Sequence, residues 1–230
     1  VASTVAGTGV EGGTNGTGST ATFSRPAGVA VDAAGVIYVA EQGGHRVRRI
    51  ALSSGDGTLP SHYLVTTLAG SGTAGFAEGN GTAASFNGPR GVAVDADGNV
   101  YVADAGNYRV RVVRPTGQVT TVAGTGSGGA TDGAGNVATF NGLYGVAALP
   151  DRGRGRALVV ADMNARTLRQ LRLREGAAIG SASNWIVQTL AGQNGVAGAT
   201  DGSGDLARFH TPRLVAAANS GTLYVADNGN

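Results

Sequence analysis

The chain has 230 residues, 41% of them hydrophobic and 14% charged, with a net charge of +2. That balance supplies enough apolar side chains for a core, and it argues against a disordered chain or a broad phosphate-contacting surface. There is no cysteine, which excludes disulfides and thiolate metal sites, and no apolar run approaches the roughly 20 residues of a membrane-crossing helix.

In chain order, Thr4-Val5-Ala6-Gly7 reads as a short strand, and a Gly/Thr-rich stretch leads from it to Phe23. Gly28-Val29-Ala30-Val31-Asp32 reads as a strand, here called a. The Ala34-Gly35 pair makes a tight turn, the glycine supplying the positive φ that a short hairpin needs. Strand b follows at Ile37-Tyr38-Val39-Ala40-Glu41 and strand c around Val47. Strand d, Thr67-Leu68-Ala69-Gly70, matches the opening segment. The series recurs from Phe86, with a at Gly91-Val92-Ala93-Val94-Asp95, b at Val100-Tyr101-Val102-Ala103-Asp104, c around Val110 and d at Thr121-Val122-Ala123-Gly124. It recurs from Phe140, with Val146 in a, Leu158-Val159-Val160-Ala161-Asp162 as b, Leu168 in c and Thr189-Leu190-Ala191-Gly192 as d. From Phe209 only a (Leu214-Val215-Ala216-Ala217) and b (Leu223-Tyr224-Val225-Ala226-Asp227) follow. Unequal spacing around a constant motif places insertions in loops.

A four-stranded antiparallel sheet cannot bury both its faces alone; stacking such sheets radially does so. The expectation is an all-β propeller over 1–230, with strand a innermost, strand d outermost, helix nearly absent, and Phe23, Phe86, Phe140 and Phe209 in equivalent buried positions. About four blades are visible. The chain opens at a strand d and stops before a strand c, so it is expected to be an incomplete part of a larger wheel; a compact four-bladed ring is the alternative.

Phe86-Asn87-Gly88-Pro89-Arg90-Gly91-Val92-Ala93-Val94-Asp95, then Asn99 to Asp104, then Asn107-Tyr108-Arg109-Val110-Arg111, closely resemble the NHL repeat family. The resemblance extends over essentially the whole chain and implies a propeller of six or more blades. It implies little about activity, because such propellers include binding scaffolds, RNA-binding modules and a few enzymes. The third repeat departs most, with Leu143-Tyr144 where Pro89-Arg90 stands in the second.

No catalytic residue, metal ligand or cofactor site is expected. His45, His62 and His210 share no repeat position, so the zinc-binding histidines of some NHL lyases have no counterpart here. The recurrent acid Glu41, Asp104, Asp162 and Asp227 reads as a turn cap accepting backbone N–H groups, with Arg109 within reach of Asp104. Asp95-Ala96-Asp97-Gly98-Asn99 reads as a hairpin rather than a calcium loop. Asn15 and Asn80 head Asn-x-Thr sequons in the d–a loop of successive blades and are candidate N-glycosylation sites.

The ligand-binding candidates are Arg90, Tyr144 and Arg213, the variable residues entering strand a, with Ala27 as the counterpart in the first blade. That point faces the mouth of a propeller channel, and a variable residue among repeated neighbours is free for recognition. Two guanidiniums favour an anionic or hydrogen-bonding group, and the tyrosine suits a sugar ring or a peptide side chain. The alternative partner patch is Arg152, Arg154, Arg156 and Trp185 on the face that carries the a–b and c–d insertions. The leading expectation is a noncatalytic extracellular or cell-surface scaffold that binds protein or glycan or self-assembles. A lyase or hydrolase at the channel mouth and an RNA-binding module are the alternatives, nucleic acid being disfavoured by the modest charge.

Overall fold

The computed structural model describes residues 3–153 and 155–230. Among these residues there is no α-helix, only five single 3-10 turns, and no helix long and apolar enough to cross a membrane.

Alternating β-branched and small residues bounded by Gly-containing turns produce short strands throughout. The first blade comprises β1 (Gly16–Thr17), β2 (Pro26–Val31), β3 (Ile37–Glu41), β4 (Arg46–Leu52) and β5 (Tyr63–Ala69). The second comprises β6 (Gly79–Asn80), β7 (Pro89–Val94), β8 (Val100–Asp104), β9 (Arg109–Val113) and β10 (Gln118–Ala123). The third comprises β11 (Gly133–Ala134), β12 (Leu143–Ala148), β13 (Ala157–Asp162), β14 (Thr167–Leu173) and β15 (Trp185–Gly192). A fourth blade contributes β16 (Pro212–Ala217) and β17 (Leu223–Asp227).

Strands a to d of the repeat are thus β2 to β5 and their counterparts, joined as antiparallel meanders. Strand a of each blade packs against strand a of the next, which puts it on the inner wall. Two features differ from the sequence expectation. Each of the first three sheets is five-stranded, because two residues of the d–a loop add an antiparallel edge outside strand d; strand d is therefore covered rather than outermost, which protects its open edge. Residues 4–7 are not a strand, Val5 and Ala6 forming a bend, since no strand among the described residues lies alongside to pair with them.

The core lies between blades. One cluster joins blades two and three through Tyr101, Val112, Phe140, Leu143, Leu158 and Trp185, and another joins blades one and two through Tyr38, Val47, Phe86 and Val102. Phe86 and Phe140 are fully buried, while Phe23 and Phe209 are half-buried at the two open ends of the stack. The same ends expose Val29, Val31, Leu214 and Tyr224, whereas Val92 and Val146 at the Val29 position are covered by the neighbouring blade.

Candidate functional site

Strand a starts with an irregularity in every blade. Its register against strand b slips between Pro26 and Gly28, Pro89 and Val92, Leu143 and Val146, and Pro212 and Leu214. Ala27, Arg90, Tyr144 and Arg213 sit at these bulges, which re-aim a side chain away from the regular pleat. In the first three blades a glycine follows. A Cβ on Gly28 would lie 2.3 Å from the Arg90 carbonyl oxygen, one on Gly91 2.3 Å from that of Tyr144, and one on Gly145 2.7 Å from that of Arg213. Only glycine permits so close a backbone approach. Each glycine therefore seats the next blade's bulge against its own, and the variable residues of successive blades become neighbours.

The result is a row of side chains along one rim of the inner wall. The Arg90 guanidinium carbon lies 4.8 Å from the centre of the Tyr144 ring, and that of Arg213 lies 5.6 Å from it. Both are within cation–π range. Arg90 and Tyr144 are half-buried and Arg213 is exposed. Among the described residues neither guanidinium has a hydrogen-bond or ion-pair partner. Ala27 occupies the same bulge in blade one and is exposed. Below this rim, Gly28, Gly91, Gly145, Val92 and Val146 line an open, mostly apolar concavity of about 490 Å³.

The charged residues that recur in every blade are used internally. Glu41, Asp104 and Asp162 are fully buried and pair with the fully buried Arg48, Arg111 and Arg169 at 3.2, 3.1 and 3.4 Å. The same acids accept the N–H of the residue after the repeat phenylalanine, from Ser24 at 2.9 Å, Asn87 at 2.8 Å and Asn141 at 3.0 Å. Asp227 does likewise for His210 and Thr211. Each buried guanidinium lies over that phenylalanine, at 5.1, 5.5 and 5.3 Å, and donates to carbonyls of the d–a loop at Thr14, Ala77 and Thr131. The acids therefore cap the entry to strand a and anchor the loop. In blade two the partner is Arg111 rather than Arg109. Asp104 is held inward by the Asn87 N–H, while Arg109 turns outward over Phe76 and bonds the Thr125 carbonyl. Burial raises the Asp104 pKa and pushes that of Asp162 up to about 6, against the stabilising pull of the arginines and backbone donors.

The insertion-bearing face does not assemble the alternative patch. Trp185 is fully buried, donates from its ring nitrogen to the Ile179 carbonyl at 3.0 Å, and meets Tyr101 edge-on; it is a core residue. Arg156 reaches across to blade two, where it pairs with Asp95 and Asp97 and donates to the Tyr101 hydroxyl at 3.0 Å. Arg152 donates to the Asn219 carbonyl in blade four, and Arg154 lies outside the described residues. Asp95 also accepts the N–H groups of Asp97 and Asn99, closing the a–b hairpin. Burial raises the Tyr101 pKa, so its hydroxyl stays protonated and donates to Asp95 at 2.9 Å.

The histidines are dispersed. His45 accepts the Gly88 N–H at 3.0 Å, His62 faces Asp56 at 3.3 Å, and His210 is exposed. Among the described residues no three His, Asp or Glu side chains are grouped to hold a metal. Asn15 and Asn80 are both exposed and share the d–a loop but not the position within it. Asn15 precedes β1 and accepts from Arg48 at 2.9 Å and Thr67 at 3.2 Å, the place held by Glu78 and Asp132 in the next blades, whereas Asn80 belongs to edge strand β6 itself.

Sequence reasoning missed the buried arginines and one further set. His45, Tyr108 and Arg166 hold left-handed backbone, at φ 50°, 52° and 61°, just before strand c. Non-glycine residues rarely adopt it. Two of them reach the following blade, His45 at Gly88 and Arg166 at the His210 carbonyl. The signal was available in the chain: all three follow the b-strand acid at a fixed distance.

The NHL repeat model matches residues 23–50 and 86–113. NHL repeat-containing protein 3 of Mus musculus is 33% identical over 170 residues, 73% of this chain and 40% of that protein. The chain carries NHL repeats in its first two blades. It spans well under half the length of that curated relative. Among solved structures, the NHL-repeat fold here is similar to an auxiliary nutrient binding protein from Bacteroides ovatus, with a TM-score of 0.63 at 19% identity, covering 90% of this chain and 46% of that one. It is also similar to a streptogramin B lyase, with a TM-score of 0.52 at 10% identity, covering 94% and 52%. At these identities the likeness is one of fold.

Proposed function

We propose that these NHL repeats form a noncatalytic binding scaffold whose recognition surface is the rim at the start of strand a, with a protein or glycan partner. One observation carries the reading. Arg90, Tyr144 and Arg213, from three successive blades, lie side by side with both guanidiniums free of carboxylate partners, while the arginines that recur inside the blades are each matched to an acid. A propeller that neutralises its internal charges and leaves two cations at the inner rim is arranged to receive a partner there. The nutrient-binding propeller of similar fold is consistent with such a role.

The test compares wild type with the Arg90→Ala/Arg213→Ala double variant on arrays of peptides and glycans. Loss of the wild-type signals with unchanged thermal stability supports the rim; unchanged signals assign recognition to another surface. An extracellular or cell-surface location is part of the same proposal and rests on the exposed Asn15 and Asn80. Intact mass before and after glycosidase treatment of material from the native source decides that part, an unshifted mass counting against it. The exposed Val29, Val31, Leu214 and Tyr224 support a further blade of the same kind against each open end.

A further inference from the structure

We infer that the rim takes an acidic peptide segment, engaged through two or more carboxylates, rather than a neutral sugar; this rests on the rim being the recognition surface. The argument turns on what Tyr144 has left to offer. Alone at the rim, its ring would be a flat platform on which a sugar stacks. Two guanidiniums already lie over it, at 4.8 and 5.6 Å from its centre, so little of the ring face remains for a ligand. The ring instead holds the arginines. A guanidinium that rests against an aromatic ring without an acid partner still has N–H groups at its edge that can donate paired hydrogen bonds to a carboxylate.

The two arginines come from different blades, and backbone contacts between successive strands a fix where their side chains start. The bulges aim them, and the Gly91–Tyr144 and Gly145–Arg213 contacts, 2.3 and 2.7 Å from a notional Cβ to carbonyl oxygen, set the distance between strands. Two preplaced cations without acids of their own match two carboxylates on one ligand. The rim row presents no counter-charge, since Ala27 is the remaining member. A peptide chain rich in Asp or Glu supplies carboxylates at short intervals along a flexible backbone and needs no stacking platform. Tyr144 is a positioning residue in this arrangement, acting through the arginines.

The probes are fluorescein-labelled hexaglutamate, its hexaglutamine counterpart and hexagalacturonate, titrated by anisotropy at two salt concentrations. Wild type should bind hexaglutamate more tightly than the other two and lose affinity as salt rises. The Arg90→Ala/Arg213→Ala variant should weaken that binding about tenfold or more, while Arg152→Ala on the opposite face leaves it unchanged. Tyr144→Phe keeps the ring and should retain binding, whereas Tyr144→Ala should weaken it by freeing both guanidiniums. Equal binding of hexaglutamate and hexaglutamine, or tighter binding of hexagalacturonate, overturns the inference. So does retention of hexaglutamate binding in the double arginine variant. If array signals depend on the rim but hexaglutamate does not bind, the ligand class fails and the rim reading stands; array signals that ignore the rim remove both.

Discussion

Replacing Gly91 with alanine tests the packing that builds the rim. The new methyl would lie 2.3 Å from the Tyr144 carbonyl oxygen and 2.9 Å from both the Gly145 Cα and the Val146 nitrogen. All three are backbone atoms of the next blade, so no side chain can swing aside. Ordinary contact begins near 3.4 Å, and blades two and three must part locally by about 1 Å. A gap of that size forfeits up to half of the dispersion attraction across it, and overpacking of this kind costs about 3 kcal/mol. For a chain of this length that corresponds to a fall of about 6–12 °C in Tm. Gly75→Ala is the control, since its methyl would meet the Ser85 side chain at no less than 3.5 Å, and its stability should stay within about 0.5 kcal/mol of wild type. Differential scanning calorimetry of the three proteins reads the difference. A Gly91→Ala protein that melts within about 1 °C of the Gly75→Ala protein refutes the claim that successive a strands touch through their backbones.

Phe86→Ala should cost about 3–5 kcal/mol by urea denaturation, as expected for a fully buried ring, and Phe23→Ala distinctly less because Phe23 is half-buried. Arg111→Met leaves the buried Asp104 carboxylate unpaired and should cost about 3–5 kcal/mol, whereas adding Asp104→Asn to it should recover part of that loss in the same assay. The pH dependence of stability follows from Asp162. Burial raises its folded-state pKa to about 6, above the unfolded value, so the native state binds the proton more readily. The resulting stability is fully present below about pH 4 and is lost as pH rises through 6, a change of up to about 3 kcal/mol. Asp104 acts in the same direction. Urea midpoints between pH 4 and 7 should show the rise on acidification, and Asp162→Asn should flatten it.

The repeat made the blades legible, because short β-branched and aromatic runs such as Val100-Tyr101-Val102-Ala103-Asp104, bounded by Gly-containing a–b turns, recur in each unit. The edge strands were not legible. Gly16–Thr17, Gly79–Asn80 and Gly133–Ala134 are two-residue pairings in glycine-rich loops, decided by arrival beside strand d rather than by local propensity. The arginines at 48, 111 and 169 alternate with valine or leucine as solvent-facing residues would, and only the inward acid on strand b turns them to the interior. At the rim, variability singled out Arg90, Tyr144 and Arg213. Their mutual contact, and so the loss of the tyrosine face, depended on glycine contacts between blades that no local pattern encodes. Trp185 illustrates the converse: a lone tryptophan in an insertion reads equally as surface or core, and its packing against Tyr101 of the preceding blade decided the matter.

The most direct measurement is hydrogen–deuterium exchange of the chain with and without a saturating array ligand. Binding at the rim slows exchange in the peptides that contain Arg90, Tyr144 and Arg213 together, with little change elsewhere. Protection confined to the hairpins around Asp97, Arg152 and Asn219, on the opposite face, contradicts the account.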